Sequence, residues 1–198
     1  VKTRPLIPPQ DDLDQVMLEY LPPLLEKDIL VVTSKVVAIS QGRCVAISEV
    51  SNKEELVVAE AQAYIPKASS QYNITLSIKE NTLIAASGID ESNGNGYYVL
   101  LPSDVFKSAE AIYTYLCTKH QVKNIGVIIT DSRSLPFRYG ATGVALAWWG
   151  MEPLQDHIGR RDLFGRKIEV ERSNLVDGLA AGATVIAGEV DECIPVVI

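Results

Sequence analysis

Residues 125–150, IGVIITDSRSLPFRYGATGVALAWWG, decide how the rest of the chain is read. Ile125, Val127, Ile128 and Ile129 form an almost unbroken β-branched run behind Lys123-Asn124. A short apolar run of this kind suits a strand buried on both faces; a helix would want more length. The run stops at Thr130-Asp131-Ser132. A carboxylate at the mouth of a buried strand is costly unless it is paired, hydrogen-bonded or bound to a cation. Asp131 is therefore either a satisfied loop carboxylate or a metal or catalytic ligand. Arg133 and Arg138 follow, with Pro136 between them and Gly140 and Gly143 beyond. Strand, acid, hydroxyl, two arginines and glycines in that order suit an anionic ligand held through a cation.

With 198 residues, 47% of them hydrophobic and 22% charged, the chain can bury a globular core. A net charge of −7 argues against nonspecific nucleic-acid binding, which needs a basic surface. Cys44, Cys117 and Cys193 lie far apart with no CxxC, the pattern of a reduced protein. His120 and His157 are too few for a histidine-rich metal site. The start lacks the basic-plus-apolar pattern of a signal segment, and no apolar run approaches membrane-spanning length. A soluble, cytoplasmic protein with neither nucleic-acid nor membrane partner is expected.

The proline-rich start, VKTRPLIPPQ, reads as extended chain. Asp11-Asp12 caps a helix over Leu13 to Leu21, which ends at Pro22-Pro23. Ile29–Val32 is a buried strand. The Thr33-Ser34-Lys35 that follows suits either phosphate binding or helix capping. Gln41-Gly42-Arg43 turns into a second strand, Cys44–Ile47. Ser51 with Glu54 forms a capping box for a helix over 51–64, and Asn73–Ile78 pairs with Thr82–Ala86 as a hairpin. A helix is expected over about 106–119 behind Ser103-Asp104, and another over 174–187. Trp148-Trp149 are packing residues first. Arg160, Arg161, Arg166 and Lys167 make the one dense basic cluster, either a solvated turn or an anion clamp. A terminal strand runs from Ile194 to Ile198. No repeat or convincing linker interrupts the chain, so a single domain over 1–198 is expected.

Asp90, Asp131 and Glu189 each follow an apolar segment and sit beside small polar residues. Hard oxygen donors of this kind favour Mg²⁺ or Mn²⁺. There is no GxxxxGK[ST], GxGxxG or GxSxG segment, so P-loop, dinucleotide-fold and nucleophile-elbow chemistry lack support. What remains is phosphoryl or acyl-phosphate transfer driven by positioning and electrostatics.

In order and spacing, GIDESN, GVIITDSR, IGRRDLFGR and GEVDECIP resemble the γ-glutamyl ligases of coenzyme F-420 biosynthesis. PLIPPQDDL and VVTSKVVAISQGR fit too, so the resemblance covers essentially the whole chain. It implies an α+β fold with mixed and antiparallel sheets flanked by helices, in an intertwined homodimer. It also implies a nucleotide (GTP), a divalent cation (Mg²⁺ or Mn²⁺, with a monovalent cation as a further candidate), L-glutamate and a carboxylate-bearing acceptor. Carried over by motif, Asp90, Asp131, Ser132 and Glu189 are the metal positions. Pro5, Leu6, Ile7, Ser34, Lys35, Asn93, Ser132, Gly188 and Asp191 are the nucleotide contacts. Catalysis is assigned to Asp90, Asp131 and Arg138. Two departures stand out. Ala38-Ile39 replaces the family's Ser-Lys, which leaves ATP open beside GTP. Arg133-Ser134-Leu135-Pro136 replaces its Asn-Gly-Arg, which opens the acceptor to folate-like molecules. The rival readings are an amide ligase for another amino acid and a noncatalytic nucleotide-binding dimer.

Overall fold

The computed structural model describes all 198 residues. In chain order the elements are α1 (Leu13–Tyr20), β1 (Ile29–Thr33), α2 (Ser34–Ser40), β2 (Cys44–Ala46), α3 (Lys53–Glu60), β3 (Ala63–Ile65), β4 (Leu76–Lys79) and β5 (Thr82–Ala85). They continue as β6 (Tyr97–Val99), α4 (Val105–His120), β7 (Gly126–Ser134), β8 (Ala141–Trp149), β9 (Leu154–Asp156), β10 (Arg172–Asn174), α5 (Leu175–Ala187) and β11 (Val196–Val197). The class is α+β, as expected. A central mixed sheet in the order β11-β1-β7-β8 is accompanied by the small antiparallel sheets β3-β4-β5, β2-β6 and β10-β9.

The central sheet explains its own sequence. β1 and β7 run parallel, with Val32 opposite Ile129 and Thr33 opposite Thr130. Leu30, Val32, Val127 and Ile129 face a large core shared with α1, α2 and α4. Val31 and Ile128 face the opposite way, against Val176, Ala180 and Ala183 of α5. Both faces are covered along Leu30–Val32 and Val127–Ile129, so the alternation of pleat directions leaves no polar position in those stretches.

β7 continues past the apolar run that marked its expected end. Thr130 to Ser134 stay paired with β8, and Ala141 lies opposite Ser134. A bulge between Ile129 and Thr130 adds one residue on β8, which lets the adjacent Leu146 and Ala147 both enter the large core. Asp131 is therefore held in a strand rather than a loop. A carboxylate positioned by ladder hydrogen bonds has far less freedom than one on a turn.

One element was not assigned from sequence and both ends of another are corrected. Ser34–Ser40 is a helix whose Val36, Val37, Ala38 and Ile39 are all buried. An element covered on every side carries no amphipathic stripe for periodicity to detect. The helix expected over 51–64 starts behind Asn52, whose side chain accepts from the Glu54 N–H at 3.0 Å. Glu54 leaves the capping role because its carboxylate takes the hydroxyl of buried Thr75. That helix ends at Glu60, where Arg43 (2.6 Å) and Lys79 (3.0 Å) hold the carboxylate, and Ala63–Ile65 becomes a strand against β4. The hairpin β4–β5 turns through Glu80 and Asn81, both at positive φ, in the manner of a two-residue primed turn.

Candidate active site

At the carboxyl ends of β1 and β7 the chain leaves a cavity of about 730 Å³. Crevices at such strand ends are where open parallel sheets hold ligands. Its walls are the proline-rich N-terminal segment, the start of α2, the loop after Ile89, residues 130–132 and the loop that follows α5. Of the residues singled out from sequence, Pro5, Leu6, Ile7, Lys35, Asp90, Asn93, Asp131, Ser132, Gly188, Glu189 and Asp191 line this one space. Ser34 lies behind the wall and donates its hydroxyl to Asp131 Oδ1 at 2.8 Å. Arg138 is not brought to the cavity. It sits exposed in the turn between β7 and β8, flanked by fully exposed Phe137 and Tyr139.

The electrostatics separate the carboxylates. Enclosure pushes Asp131 up to about 6, aided by the nearby charge of Asp90 and opposed by the Ser34 hydroxyl and Lys35. Enclosure also works against charge on Asp90. There it is outweighed by the Lys35 ammonium and by the hydroxyl and N–H of Ser92, so Asp90 stays below the ordinary carboxylate range. Lys35 Nζ lies 2.6 Å from Asp90 Oδ2 and also donates to the Ser92 carbonyl at 3.0 Å. On the opposite wall Ser132 donates to Glu189 Oε2 at 3.0 Å. Asn93 donates to the Val190 carbonyl at 2.7 Å, tying the two loops together.

Three sets of contacts in the site were not assigned from sequence. Arg4 forks onto Asp11 with contacts of 2.6 and 2.7 Å, and the Ile7 N–H donates to the same carboxylate at 2.6 Å. This clamp shapes the proline-rich wall from two residues seven apart. Ser92, next to the Asp90-Glu91 pair, supplies two oxygens around Lys35. Glu192 turns back into its own loop and accepts from the N–H groups of Val190 and Asp191 at 3.0 and 3.1 Å. A Cβ at Gly188 would collide with the Glu192 carboxyl, and Gly188 also holds φ at +77°, so glycine is required there twice over.

Asp90, Asp131 and Glu189 are the hard oxygen donors that Mg²⁺ or Mn²⁺ takes, and all three face the cavity. The match is one of donor chemistry. With Asp90 turned to Lys35 and Glu189 to Ser132, no three acidic, histidine or cysteine side chains converge closely enough to hold a metal ion.

An α+β chain with an acid-lined cavity at its parallel strand ends, closed by loops that bind one another, has the form of an enzyme for small charged substrates. Residues 2–198 match the family model described as F420-0:Gamma-glutamyl ligase. The coenzyme F420:L-glutamate ligase of Methanothermobacter thermautotrophicus is 33% identical over 217 residues, covering 100% of this chain and 86% of that protein. The enzyme of the same name from Methanocaldococcus jannaschii is 32% identical over 204 residues, 96% of this chain and 80% of that protein. That of Halobacterium salinarum is 33% identical over 214 residues, with 98% and 82% covered. The chain belongs to the F420-0:gamma-glutamyl ligase family, and it is a ligase of the kind that forms an amide bond. No helix is long and apolar enough to cross a membrane.

Proposed function

We propose that this ligase joins L-glutamate to the carboxylate of a coenzyme F-420 precursor or a folate-like acceptor, using a nucleoside triphosphate (GTP in the first instance) and a divalent cation. The observation that carries the reading is Asp131. It is a strand-held carboxylate inside the cavity, its one side-chain partner is Ser34, and its proton affinity is raised by enclosure. Such a group is positioned to engage a cation or to take up a proton near neutrality.

The chemistry follows from the bond to be made. A free carboxylate does not react with an amine, so the acceptor oxygen first takes the terminal phosphoryl group, giving an acyl phosphate and a nucleoside diphosphate. The glutamate amine then attacks the acyl carbon, inorganic phosphate departs and the amine loses a proton. Asp90, Asp131 and Glu189 would hold the cation, which supplies neutralising charge for the phosphoryl group. The N-terminal wall at Pro5-Leu6-Ile7 and the Gly188–Asp191 loop, tied to Asn93, would enclose the nucleotide and exclude water. The proposal includes a homodimer, supported by fully exposed Phe137 and Tyr139 on one hairpin tip and Leu163 and Phe164 on the basic turn.

Thermal unfolding with GTP, ATP or neither, each with Mn²⁺, Mg²⁺ or chelator, tests the binding half. Ligand at a hundredfold excess over its dissociation constant stabilises by about 2.7 kcal/mol. For a chain of this size that is about 5–10 °C. Mass-spectrometric detection of glutamate added to F-420-type and folate-type acceptors tests the chemistry. Asp131→Asn is expected to lose at least about a hundredfold in rate, the usual scale for a positioned charge. Full ligation by that variant would remove Asp131 from the mechanism.

A further inference from the structure

The closed arrangement around Lys35 has the form of a coordination sphere. Its ammonium is surrounded by one carboxylate oxygen of Asp90 at 2.6 Å, the main-chain carbonyl of Ser92 at 3.0 Å and the Ser92 hydroxyl at 3.3 Å. Carboxylate, carbonyl and hydroxyl oxygens are the ligand types of a hard metal ion. Ser92 in turn donates its N–H and hydroxyl to the other Asp90 oxygen, both at 2.7 Å, so the seat is built as a unit. Lys35 also faces Asp131 closely enough to lower its proton affinity. Its side chain remains part-exposed to the cavity.

Charge balance sharpens the point. The lining contains five acids, Asp90, Asp131, Glu189, Asp191 and Glu192, and two cations, Arg4 and Lys35. Both cations are already spent on Asp11 and Asp90. A polyphosphate entering this cavity as it stands would meet no unengaged positive side chain from the lining. A divalent ion at Asp90 would supply charge and liberate a second cation in the same event.

We propose that Lys35 is a tethered stand-in cation at Asp90, that a divalent ion displaces it from this seat, and that the released ammonium then pairs with the anionic ligand. Lys35 thus couples metal uptake to nucleotide affinity. The proposal rests on the metal- and nucleotide-dependent reading above.

The test titrates Mn²⁺ into nucleotide-free protein, following unbound Mn²⁺ by electron paramagnetic resonance. Lys35→Met is expected to bind Mn²⁺ about fivefold more tightly than the unsubstituted chain, the worth of a part-exposed ion pair. In the same variant at saturating Mn²⁺, GTP binding is expected to weaken by about tenfold, the scale of a charged hydrogen bond to phosphate. Unchanged or weaker Mn²⁺ uptake by Lys35→Met overturns the proposal. A second measurement needs no substitution: acetylation of Lys35 by an N-hydroxysuccinimide ester, read by peptide mass spectrometry, should accelerate when Mn²⁺ is added. No acceleration overturns displacement. If neither chain takes up Mn²⁺, the metal-dependent reading falls and the proposal with it. If both take it up equally, the proposal falls and the metal-dependent reading stands.

Discussion

The two faces of the central sheet are unequal. One packs twenty buried residues into a continuous core, drawn mainly from β1, β7, β8, α1, α2 and α4. The other rests on five, with α5 touching β1 and β7 through Val176, Ala180 and Ala183. The thick face fixes β1 and β7, and so fixes Asp131 in place. The thin face carries α5, whose C-terminal end leads directly into the Gly188–Glu192 wall of the cavity. The cavity end of the sheet is thus built from a half with a large buried core and a half with a small one. Low-stability elements next to ligands are where local opening is expected.

The strongest way to break this contrast is to truncate each face in turn. Ile129→Ala empties a wholly buried position on the thick face and is expected to cost 2–5 kcal/mol, that is, about that range for large-to-small core changes, in denaturant unfolding. A loss under about 1 kcal/mol would mean that the core collapses around the gap.

Next in size is the pH response of Asp131, measured with chelator present against Asp131→Asn. Its folded value of about 6 lies above the ordinary 3.8, so the folded state holds the proton more tightly than the unfolded chain. Stability contributed by the protonated form is therefore present at low pH and lost as pH rises from about 4 through about 6. The difference between the two proteins should grow across that window to at most about 3 kcal/mol in favour of Asp131→Asn. A flat difference would show that Asp131 is well solvated.

Val176→Ala on the thin face is expected to cost about 1–2 kcal/mol in global unfolding, less than Ile129→Ala because fewer neighbours lose contacts. It should also raise hydrogen exchange in the 188–192 loop ahead of the β1–β7 ladder. Uniform acceleration across both would erase the distinction between the faces. Smallest in stability is Phe164→Ser on the fully exposed basic turn, expected to stay within about 0.5 kcal/mol in unfolding while weakening self-association in sedimentation.

The same asymmetry governs what could be read from sequence. β1 and β7 were legible because burial on both faces demands an unbroken apolar run. The acids at 90, 131 and 189 were legible because hard donors after apolar segments are chemically conspicuous. α2 was hidden by the property that revealed the strands: a short apolar run such as Val36–Ile39, buried all along, looks alike in either conformation. β3 was hidden because pairing with β4 overrode a helical pattern, and the Arg4–Asp11 clamp because Asp11 also reads as a helix cap and a pair seven apart matches neither helix nor strand period. Arg138 was drawn toward the site by nearness along the chain. β7 runs three residues beyond Asp131, about 10 Å, before the turn begins, and so carries it away.

Gly143 stands opposite Ser132 in the β7–β8 ladder, and a Cβ there would strike the Ala180 carbonyl and the Thr184 hydroxyl of α5. The helix therefore rests on bare strand backbone, and the missing side chain acts as a spacing gauge. A methyl group at that one point would lever α5 outward and carry Glu189 away from Ser132, widening the mouth of the cavity from its far side. The aperture of this ligase is calibrated by an atom it does not have.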